Sequence, residues 1–312
     1  MNVATDVWSL TDMPDQAGRT ILVTGCTRGG IGFHTALEMA RRGGRVVLAG
    51  RREETVAEAE SAIRAQVPAA ELERLLVDLS DLDSVRRAAA EAGSFGPVDV
   101  LVNNAGVMAP PYSRTPDDLE LQMATNHFGP FLLTVLLMPQ LVASNAARVV
   151  TVSSQMHRMA RTAPLGDPHV QEGRYWRWQV YSQTKLANLL FTFELDRRCR
   201  VAGKPVKALA AHPGLAGTHL AANGRYGGLA GARASILDAA IKAVAQSAHS
   251  GALPTLMAAT ADLPGSTYCG PSGFHEQRGL PQVVGCTRLA RDEQAQRRLW
   301  ELSEETTGVR FP

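Results

Sequence analysis

The chain has 312 residues, of which 45% are hydrophobic and 20% charged, and its formal net charge is +2. This is the composition of an ordinary soluble protein, and its charge is too balanced to indicate a nucleic acid partner. The longest apolar stretch, residues 131–142, is shorter than the roughly 20 residues that span a bilayer, so no membrane anchor is expected. The four cysteines lie far apart in the sequence, which favours reduced thiols and a cytoplasmic location.

The first predicted element is a strand at residues 19–24, followed by a glycine-rich turn and a helical pattern that continues to residue 42. In this order of elements, backbone amides and the helix N-terminus receive a phosphate group. A tight turn without a ligand is the simpler alternative, but the flanking strand and helix favour a dinucleotide site. The predicted contacts in the turn are Gly25, Thr27, Arg28, Gly30, Ile31 and Gly32.

A second buried strand is predicted at residues 45–49, and Arg51 follows it closely. Sites for NAD usually carry an acidic residue about 20 residues beyond the glycine turn, where it binds the ribose 2′-hydroxyl. Arg51 stands at that place instead, which suits a 2′-phosphate, and Arg28 could add a second positive contact. Solvated surface arginine is the ordinary alternative. The coincidence of the two arginines predicts NADP(H) rather than NAD.

Two further strands, at residues 72–77 and 98–102, end in short polar segments. A cofactor lying across the carboxyl ends of parallel strands would meet both segments. Capping and turn formation are the simpler roles for such acids and amides. Asp81 or Ser80 could cap the next helix, which would leave Asp78 freer for another contact. The predicted cofactor contacts here are Asp78, Leu79, Asn104, Ala105 and Gly106.

Residues 116–142 are predicted to form one long helix with Asn126 in its interior, where asparagine is a poor helix former. The amide of Asn126 is either a satisfied polar group of the core or the holder of a water for proton exchange. A fifth strand, at residues 148–152, then delivers Ser153 and Ser154.

Tyr181 and Lys185 stand at the head of an apolar helix, after a loop-rich excursion at residues 155–180. The excursion ends in the aromatic segment 175–178, which either walls a pocket or pins the loop to the core. Residues four apart share a helix face, so the ammonium of Lys185 would lower the pKa of the Tyr181 phenol from about 10. Such a phenol could protonate an alkoxide or deprotonate an alcohol, while a serine hydroxyl holds the same oxygen.

A sixth strand, at residues 207–211, leads into His212-Pro213-Gly214. The segment that follows, residues 215–247, is rich in glycine and alanine and is placed to form a lid over the substrate. The last predicted elements are a helix at residues 251–261, a short strand at 266–269 and a terminal helix at 291–307.

The alternation of strands and helices predicts a single α/β domain over residues 1–312, with residues 1–18 as an N-terminal extension. The expected architecture is a doubly wound parallel sheet of about seven strands with helices on both faces.

Two other kinds of site are disfavoured. His157, His169, His212 and His219 lack a spacing that would bring ligands together on a helix, so no metal is expected. Ser154 has no Gly-x-Ser-x-Gly turn around it, so a serine hydrolase is a distant alternative.

Together these motifs resemble the short-chain dehydrogenase/reductase family, from about residue 19 to the terminal helix. Within that family the chain is most similar to the retinol-dehydrogenase-like branch, including its bacterial members. The matches, in chain order, are the glycine turn, Asn103-Asn104-Ala105-Gly106, Asn126, Ser154, Tyr181 with Lys185, and Pro213-Gly214 followed by Thr218.

The resemblance implies a Rossmann fold and a role for each matched residue. Tyr181 would be the acid or base, Lys185 would lower its pKa and hold the nicotinamide ribose, and Ser154 would bind the substrate oxygen. Asn126 would keep a water for a proton relay. The further cofactor contacts that it implies are Pro213, Gly214 and Thr218.

The expected function is therefore an NADP(H)-dependent oxidoreductase that acts on the carbonyl or alcohol group of an apolar small molecule. Two features depart from the family pattern. Four residues separate Gly25 from Gly30 where the family turn has three, and the doubled glycine Gly29-Gly30 could absorb the insertion. No N-terminal membrane anchor like that of many animal retinol dehydrogenases is expected, which disfavours a membrane-borne retinoid. A non-catalytic NADP-binding sensor or scaffold is the alternative function, and a homodimer or a homotetramer stays open.

Overall fold

A central sheet organises the computed structural model, which describes residues 8–162, 175–215 and 246–312. Within those residues, eight strands lie in the order β3-β2-β1-β4-β5-β6-β7-β8. All neighbouring pairs are parallel except β7 with β8. The strands are β1 (Thr20–Thr24), β2 (Arg45–Gly50), β3 (Leu72–Leu76), β4 (Val100–Asn103), β5 (Ala147–Val152), β6 (Val206–Ala211), β7 (Tyr268–Pro271) and β8 (Pro281–Val283).

Helices cover both faces of the sheet. The side chains of the central strands are apolar on both faces, so each face must be buried. One core packs α3, α5, α6, α7 and α9 on the sheet, and the other packs α1, α2 and α8. The helices are α1 (Ile31–Arg41), α2 (Glu53–Arg64), α3 (Leu82–Ala92), α4 (Leu121–Met123), α5 (Gly129–Leu136), α6 (Met138–Ala143), α7 (Arg177–Val201), α8 (Ala248–Thr260) and α9 (Glu293–Thr307).

The predicted single-domain, doubly wound α/β fold is confirmed, with one more strand among the described residues than the expected number of about seven. The unpredicted strand, β8, has three residues and pairs antiparallel with β7 at the sheet edge. The predicted contact Thr218 and all but the ends of the predicted lid at residues 215–247 lie outside the described residues.

The predicted long helix at residues 116–142 is wrong. Asp118 has a φ of 57°, and a bridge joins Arg114 to Glu120, so helix begins only at α4. A π-helical turn, Ala124–Phe128, then joins α4 to α5 and contains Asn126. Pro130 has no N–H to donate to the Asn126 carbonyl, which therefore lacks its α-helical partner. Such π turns occur often at functional sites.

Candidate active site

The glycine-rich turn joins β1 to α1 at the carboxyl edge of the sheet. Gly25 and Gly29 both have a φ of 75°, a left-handed conformation that glycine adopts without strain. A hydrogen bond from Gly30 N to Thr27 O (2.8 Å) closes the turn, and Ile31 is buried at the start of α1. The doubled glycine thus absorbs the extra residue of this turn.

Asn104 locks the glycine turn to the end of β4. Its Nδ2 donates to Thr24 O (2.7 Å), and the amides of Asn104 and Ala105 both donate to Thr24 Oγ1 at 3.0 Å. Two glycines of the turn have no room for a side chain: a Cβ would lie 2.5 Å from Asn104 Nδ2 at Gly32, and 2.8 Å from Ala105 Cα at Gly25. The predicted glycine and asparagine contacts therefore form one packed unit.

Arg28 and Arg51 are both exposed beside this unit. Arg28 lines an open groove of about 470 Å³ together with Glu54 and Glu58 of α2. The Arg51 side chain is 64% exposed, and its Nη1 lies 3.8 Å from Asp78 Oδ2. An exposed pair at that distance is weak, so the Arg51 guanidinium is available to an anionic ligand.

As predicted, Asp78 does not cap α3, although one of its oxygens is engaged locally. Asp78 Oδ1 accepts hydrogen bonds from Ser80 N (2.9 Å) and Ser80 Oγ (2.6 Å). The predicted cap of α3 is confirmed at Asp81, which accepts from two amides of that helix. Leu79 is buried, and its carbonyl packs so closely on Gly129 that a Cβ there would lie 2.2 Å from Leu79 O.

The buried side chain of Asn126 ties the segment after β4 to α7. Its Oδ1 accepts from Val107 N (2.7 Å), and its Nδ2 donates to Val107 O (2.9 Å) and Thr184 Oγ1 (3.0 Å). Of the two predicted roles, the side-chain amide has that of a satisfied core group. A Cβ at Gly106 would lie 2.9 Å from Asn126 Oδ1 and 3.7 Å from Lys185 Nζ, so these predicted residues are adjacent.

The two serines after β5 have different partners. Ser153 is buried, and its Oγ donates to Lys185 O (2.7 Å), which fastens the strand to α7. Ser154 Oγ accepts from Met156 N (3.2 Å) and lies beside the Tyr181 hydroxyl. Lys185 Nζ donates to Val152 O (3.1 Å) and lies 5.7 Å from the centroid of the Tyr181 ring. The four residues predicted for catalysis thus surround one spot.

The predicted aromatic segment is held against the core, and its role as a pocket wall stays a prediction. Tyr175 pins the segment to the core, since its hydroxyl donates to Glu120 Oε1 (2.9 Å) and accepts from Gln122 Nε2 (2.6 Å). Trp178, one turn before Tyr181, lies edge-on to the Tyr181 ring with 6.2 Å between the centroids. Sequence reasoning missed Glu120, a buried acid whose only signal was its place before a helix.

The predicted cofactor turn Pro213-Gly214 follows β6 at the same edge of the sheet. Gly214 has a φ of 64°, and its amide donates to His212 Nδ1 (3.2 Å). Leu215 N donates to Gln277 O (2.8 Å), so a loop distant in sequence fixes the turn.

The described residues contain neither a cluster of metal ligands nor a membrane-spanning helix. No group of three or more histidine, cysteine, aspartate or glutamate side chains there could hold a metal ion. No described helix is both long and apolar enough to cross a bilayer.

Comparison with known proteins identifies the family. The short chain dehydrogenase family profile matches residues 19–166. Retinol dehydrogenase 13 of Homo sapiens is 37% identical over 302 residues, which cover 95% of this chain and 86% of the relative. The chain belongs to the short-chain dehydrogenase/reductase family, in its retinol-dehydrogenase-like branch.

Solved structures of other members have the same fold. An uncharacterized protein from Mycobacterium Paratuberculosis is 42% identical, with a TM-score of 0.79 over 98% of this chain and 99% of its own. A 3-oxoacyl (acyl-carrier-protein) reductase from Agrobacterium tumefaciens C58, with NADP bound, is 25% identical, with a TM-score of 0.62 over 83% of this chain and 93% of its own.

In this dehydrogenase family member, burial dominates the pKa values of the central pair. Burial raises the pKa of Tyr181 to about 12, although the neighbouring Ser154 hydroxyl acts in the opposite direction. Burial also lowers the pKa of the Lys185 ammonium to about 8. The predicted lowering of the Tyr181 pKa by Lys185 is therefore wrong for this structure. The Lys185 ammonium donates to the Val152 carbonyl, and desolvation of the phenolate outweighs its attraction to the ammonium.

The buried Lys185 ammonium predicts a pH-dependent stability difference. We expect Lys185→Met to be more stable than the parent chain at pH 7.5, because the variant buries no charge. Between about pH 8 and the unfolded pKa of about 10.4, the unfolded parent binds more protons than the folded one, so the parent gains stability and the difference shrinks. Denaturant midpoints at pH 7.5 and 9.5 measure this. Lys207→Met, at an exposed lysine, is the control; a destabilised Lys185→Met with no pH trend contradicts the prediction.

Proposed function

We propose that this protein is an NADP(H)-dependent ketone or aldehyde reductase that transfers a hydride between nicotinamide and a carbonyl or alcohol carbon of an apolar small molecule. The observation that carries the proposal is the placement of Lys185 one turn along α7 from Tyr181, with its Nζ 5.7 Å from the phenol ring centroid, and of Ser154 beside the same phenol. A pure binding protein has no need of a phenol and a hydroxyl aimed at one point. The Tyr181 phenol is protonated at neutral pH, which is the form that a reduction requires of its proton donor.

The residues at the sheet edge fit a dinucleotide. The close packing at Gly25 and Gly32 leaves no space for a Cβ, so a phosphate would approach the backbone of the turn and the N-terminus of α1 without meeting side chains at these two positions. Arg28 and Arg51 would take a 2′-phosphate, and the segment from Asn104 to Gly106 would line the cofactor's path. When bound, the cofactor supplies or accepts the hydride.

The side chains of the chain itself handle the substrate oxygen and its proton. Ser154 Oγ would donate a hydrogen bond to the carbonyl oxygen, and the Tyr181 hydroxyl would protonate the alkoxide as it forms. Lys185, 5.7 Å from the phenol ring centroid, would favour the phenolate left behind. The backbone carbonyl of Asn126, which has no α-helical donor, would hold a water that returns a proton to Tyr181.

An apolar substrate is supported by the ring next to Tyr181. Trp178 is half-buried beside the phenol, so a group attached to the carbonyl carbon would contact an aromatic face or edge. The name of the relative retinol dehydrogenase 13 agrees with an alcohol or carbonyl substrate.

The cellular setting completes the proposal. Cys26, Cys199 and Cys269 are free and buried, which supports the cytoplasm. Helix α9 packs over one face of α7. A homodimer or homotetramer would therefore have to use a surface other than that covered face.

Cofactor choice is tested at Arg51. We expect the parent chain to bind NADPH more tightly than NADH, and Arg51→Ala to weaken NADPH binding about tenfold, the value of one charge-assisted hydrogen bond, without changing NADH binding. Titration of intrinsic fluorescence with each cofactor measures both. Arg87→Ala is a matched control, since Arg87 is 71% exposed and lies 4.0 Å from Asp81. Equal binding of the two cofactors by the parent chain would refute the NADP(H) assignment.

A further inference from the structure

A buried histidine stands directly before the cofactor turn. His212 is fully buried, and its Nδ1 accepts from Gly214 N (3.2 Å) while its Nε2 lies 3.0 Å from Glu276 Oε2. Because Nδ1 accepts a hydrogen bond, the proton of the neutral ring is on Nε2. Nε2 therefore donates to the Glu276 carboxylate. Gly270 packs on the ring so closely that a Cβ there would lie 2.1 Å from Nε2. The imidazole is thus held on two sides in one tautomer.

Glu276 also contacts the loop that follows the catalytic serine. Arg158 Nη2 lies 3.1 Å from Glu276 Oε1 and donates to Gly285 O (2.8 Å). Gln155 Nε2 donates to the His275 carbonyl. The hydrogen bond with His212 and the charge of Arg158 hold the pKa of Glu276 below its usual range. A continuous chain of contacts therefore joins the Ser154 loop to the Gly214 turn.

The backbone at Glu276 is unusual. His275 and Glu276 have φ angles of 49° and 56°, and neither is glycine. Left-handed backbone at ordinary residues is costly, and it persists where the surrounding structure demands that geometry, often at functional sites. Here the conformation places the Glu276 carboxylate between the Arg158 guanidinium and the His212 imidazole.

We infer that His212 and Glu276 are positioning residues for the cofactor: Glu276 fixes the His212 tautomer, and His212 Nδ1 holds the Gly214 amide so that the Pro213-Gly214 turn meets the nicotinamide half of the dinucleotide. This inference rests on the proposed function, because that function places the cofactor at this turn. Neither residue touches the reacting atoms, so both act on cofactor affinity rather than on the chemical step.

Two substitutions at His212 separate positioning from packing. Asparagine places its side-chain oxygen near the position of Nδ1 and can accept from Gly214 N, whereas glutamine reaches the position of Nε2 and can contact Glu276 only. We expect the NADPH dissociation constant to rise about twofold in His212→Asn and about tenfold in His212→Gln, since the second loses the hydrogen bond to the turn. If the ring merely fills space, the larger glutamine would be the better replacement.

Glu276→Gln supplies a variant at a partly exposed position that does not threaten folding. We expect its NADPH dissociation constant to rise about fivefold, while kcat at saturating NADPH stays within about twofold of the parent value. The matched control is Glu73→Gln, which alters another partly exposed glutamate that pairs with an arginine, Glu73 with Arg45 (3.2 Å), where β2 begins at the opposite edge of the sheet. Its cofactor affinity should not change.

The outcomes are distinct. Unchanged affinity in Glu276→Gln, a glutamine variant that binds better than the asparagine variant, or a fall in kcat alone would each overturn the inference. A parent chain that binds neither NADPH nor NADH would instead refute the proposed function. Circular dichroism and thermal midpoints of every variant accompany the titrations, so that affinities are compared at equal folded fraction. Which of the two His212 variants binds NADPH more tightly then decides between positioning and packing.

Discussion

Replacing Tyr181 by Phe is expected to lower kcat/KM for carbonyl reduction by about 10²- to 10⁴-fold, the range supplied by one general acid. The substitution removes a single oxygen atom, so the ring remains beside Trp178 and Lys185 and the cofactor turn is untouched. NADPH affinity should therefore stay within about twofold of the parent value. The loss should appear in kcat, because the proton is needed only as the alkoxide forms.

The measurement is NADPH oxidation with a panel of apolar ketones and aldehydes, alongside cofactor titration. Tyr112→Phe is the matched control, because it removes the same single oxygen atom from a tyrosine whose hydroxyl accepts from the Arg114 Nε (2.9 Å). Turnover retained in Tyr181→Phe would contradict the catalytic assignment. If the parent chain binds NADPH tightly but reduces no member of the panel, the non-catalytic sensor becomes the better hypothesis.

The protonation of Tyr181 illustrates what a sequence leaves undetermined. A four-residue spacing correctly predicts that Lys185 lies near the phenol, because helix geometry is local. The pKa of the phenol depends also on burial, which residues far along the chain provide. Tyr181 is 6% exposed, and desolvation there outweighs the distant ammonium. The closeness of Lys185 to Tyr181 was predictable from the sequence. The balance between desolvation of the phenolate and its attraction to the ammonium was not.

Most of the site could be predicted because parallel strands bring their carboxyl ends to one edge. Apolar runs ending in glycine, asparagine or serine mark those ends, so Gly25, Asn104 and Ser154 were expected to lie together. The role of each partner was harder to predict. Asn126 bonds to Val107, 19 residues away, and His212 to Glu276, 64 residues away. Such pairings depend on loop paths that no local pattern encodes.

The break in the predicted long helix has a similar origin. Helical periodicity continues through the segment, so propensity alone favours one helix. Asp118 and the Arg114–Glu120 bridge delay its start, and Pro130 removes a donor in its middle. The resulting π turn aims the Asn126 amide at Val107. A local proline was visible in the sequence, but its consequence required knowing where Asn126 finds its partners.

Trp300→Ala is expected to lower the free energy of unfolding by about 3–5 kcal/mol, the usual cost of removing a buried tryptophan. Trp300 on α9 is 1% exposed and stacks on Phe191 of α7, with 5.9 Å between ring centroids. Its ring also meets Phe131 edge-on at 5.0 Å, and the Arg198 guanidinium lies 4.5 Å from its centroid. Truncation would leave a cavity bounded by rigid rings, which cannot collapse to fill it.

The measurement is urea unfolding followed by circular dichroism, with the m-value checked for each variant. Trp176→Ala is the matched control, since Trp176 is 74% exposed and should change stability by less than about 0.5 kcal/mol. A loss below about 1 kcal/mol in Trp300→Ala would mean that α9 contributes little to the fold.

The effect of this substitution should extend from stability to activity at higher temperature. His127 in the π turn bonds Ser303 of α9 (2.7 Å), so α9 supports both the π turn that contains Asn126 and the helix that carries Tyr181. We expect Trp300→Ala to keep its kcat at 15 °C, where the folded state is populated, and to lose activity at a lower temperature than the parent chain. A loss of kcat already at 15 °C, with the variant fully folded, would instead show that α9 sets the geometry of the site.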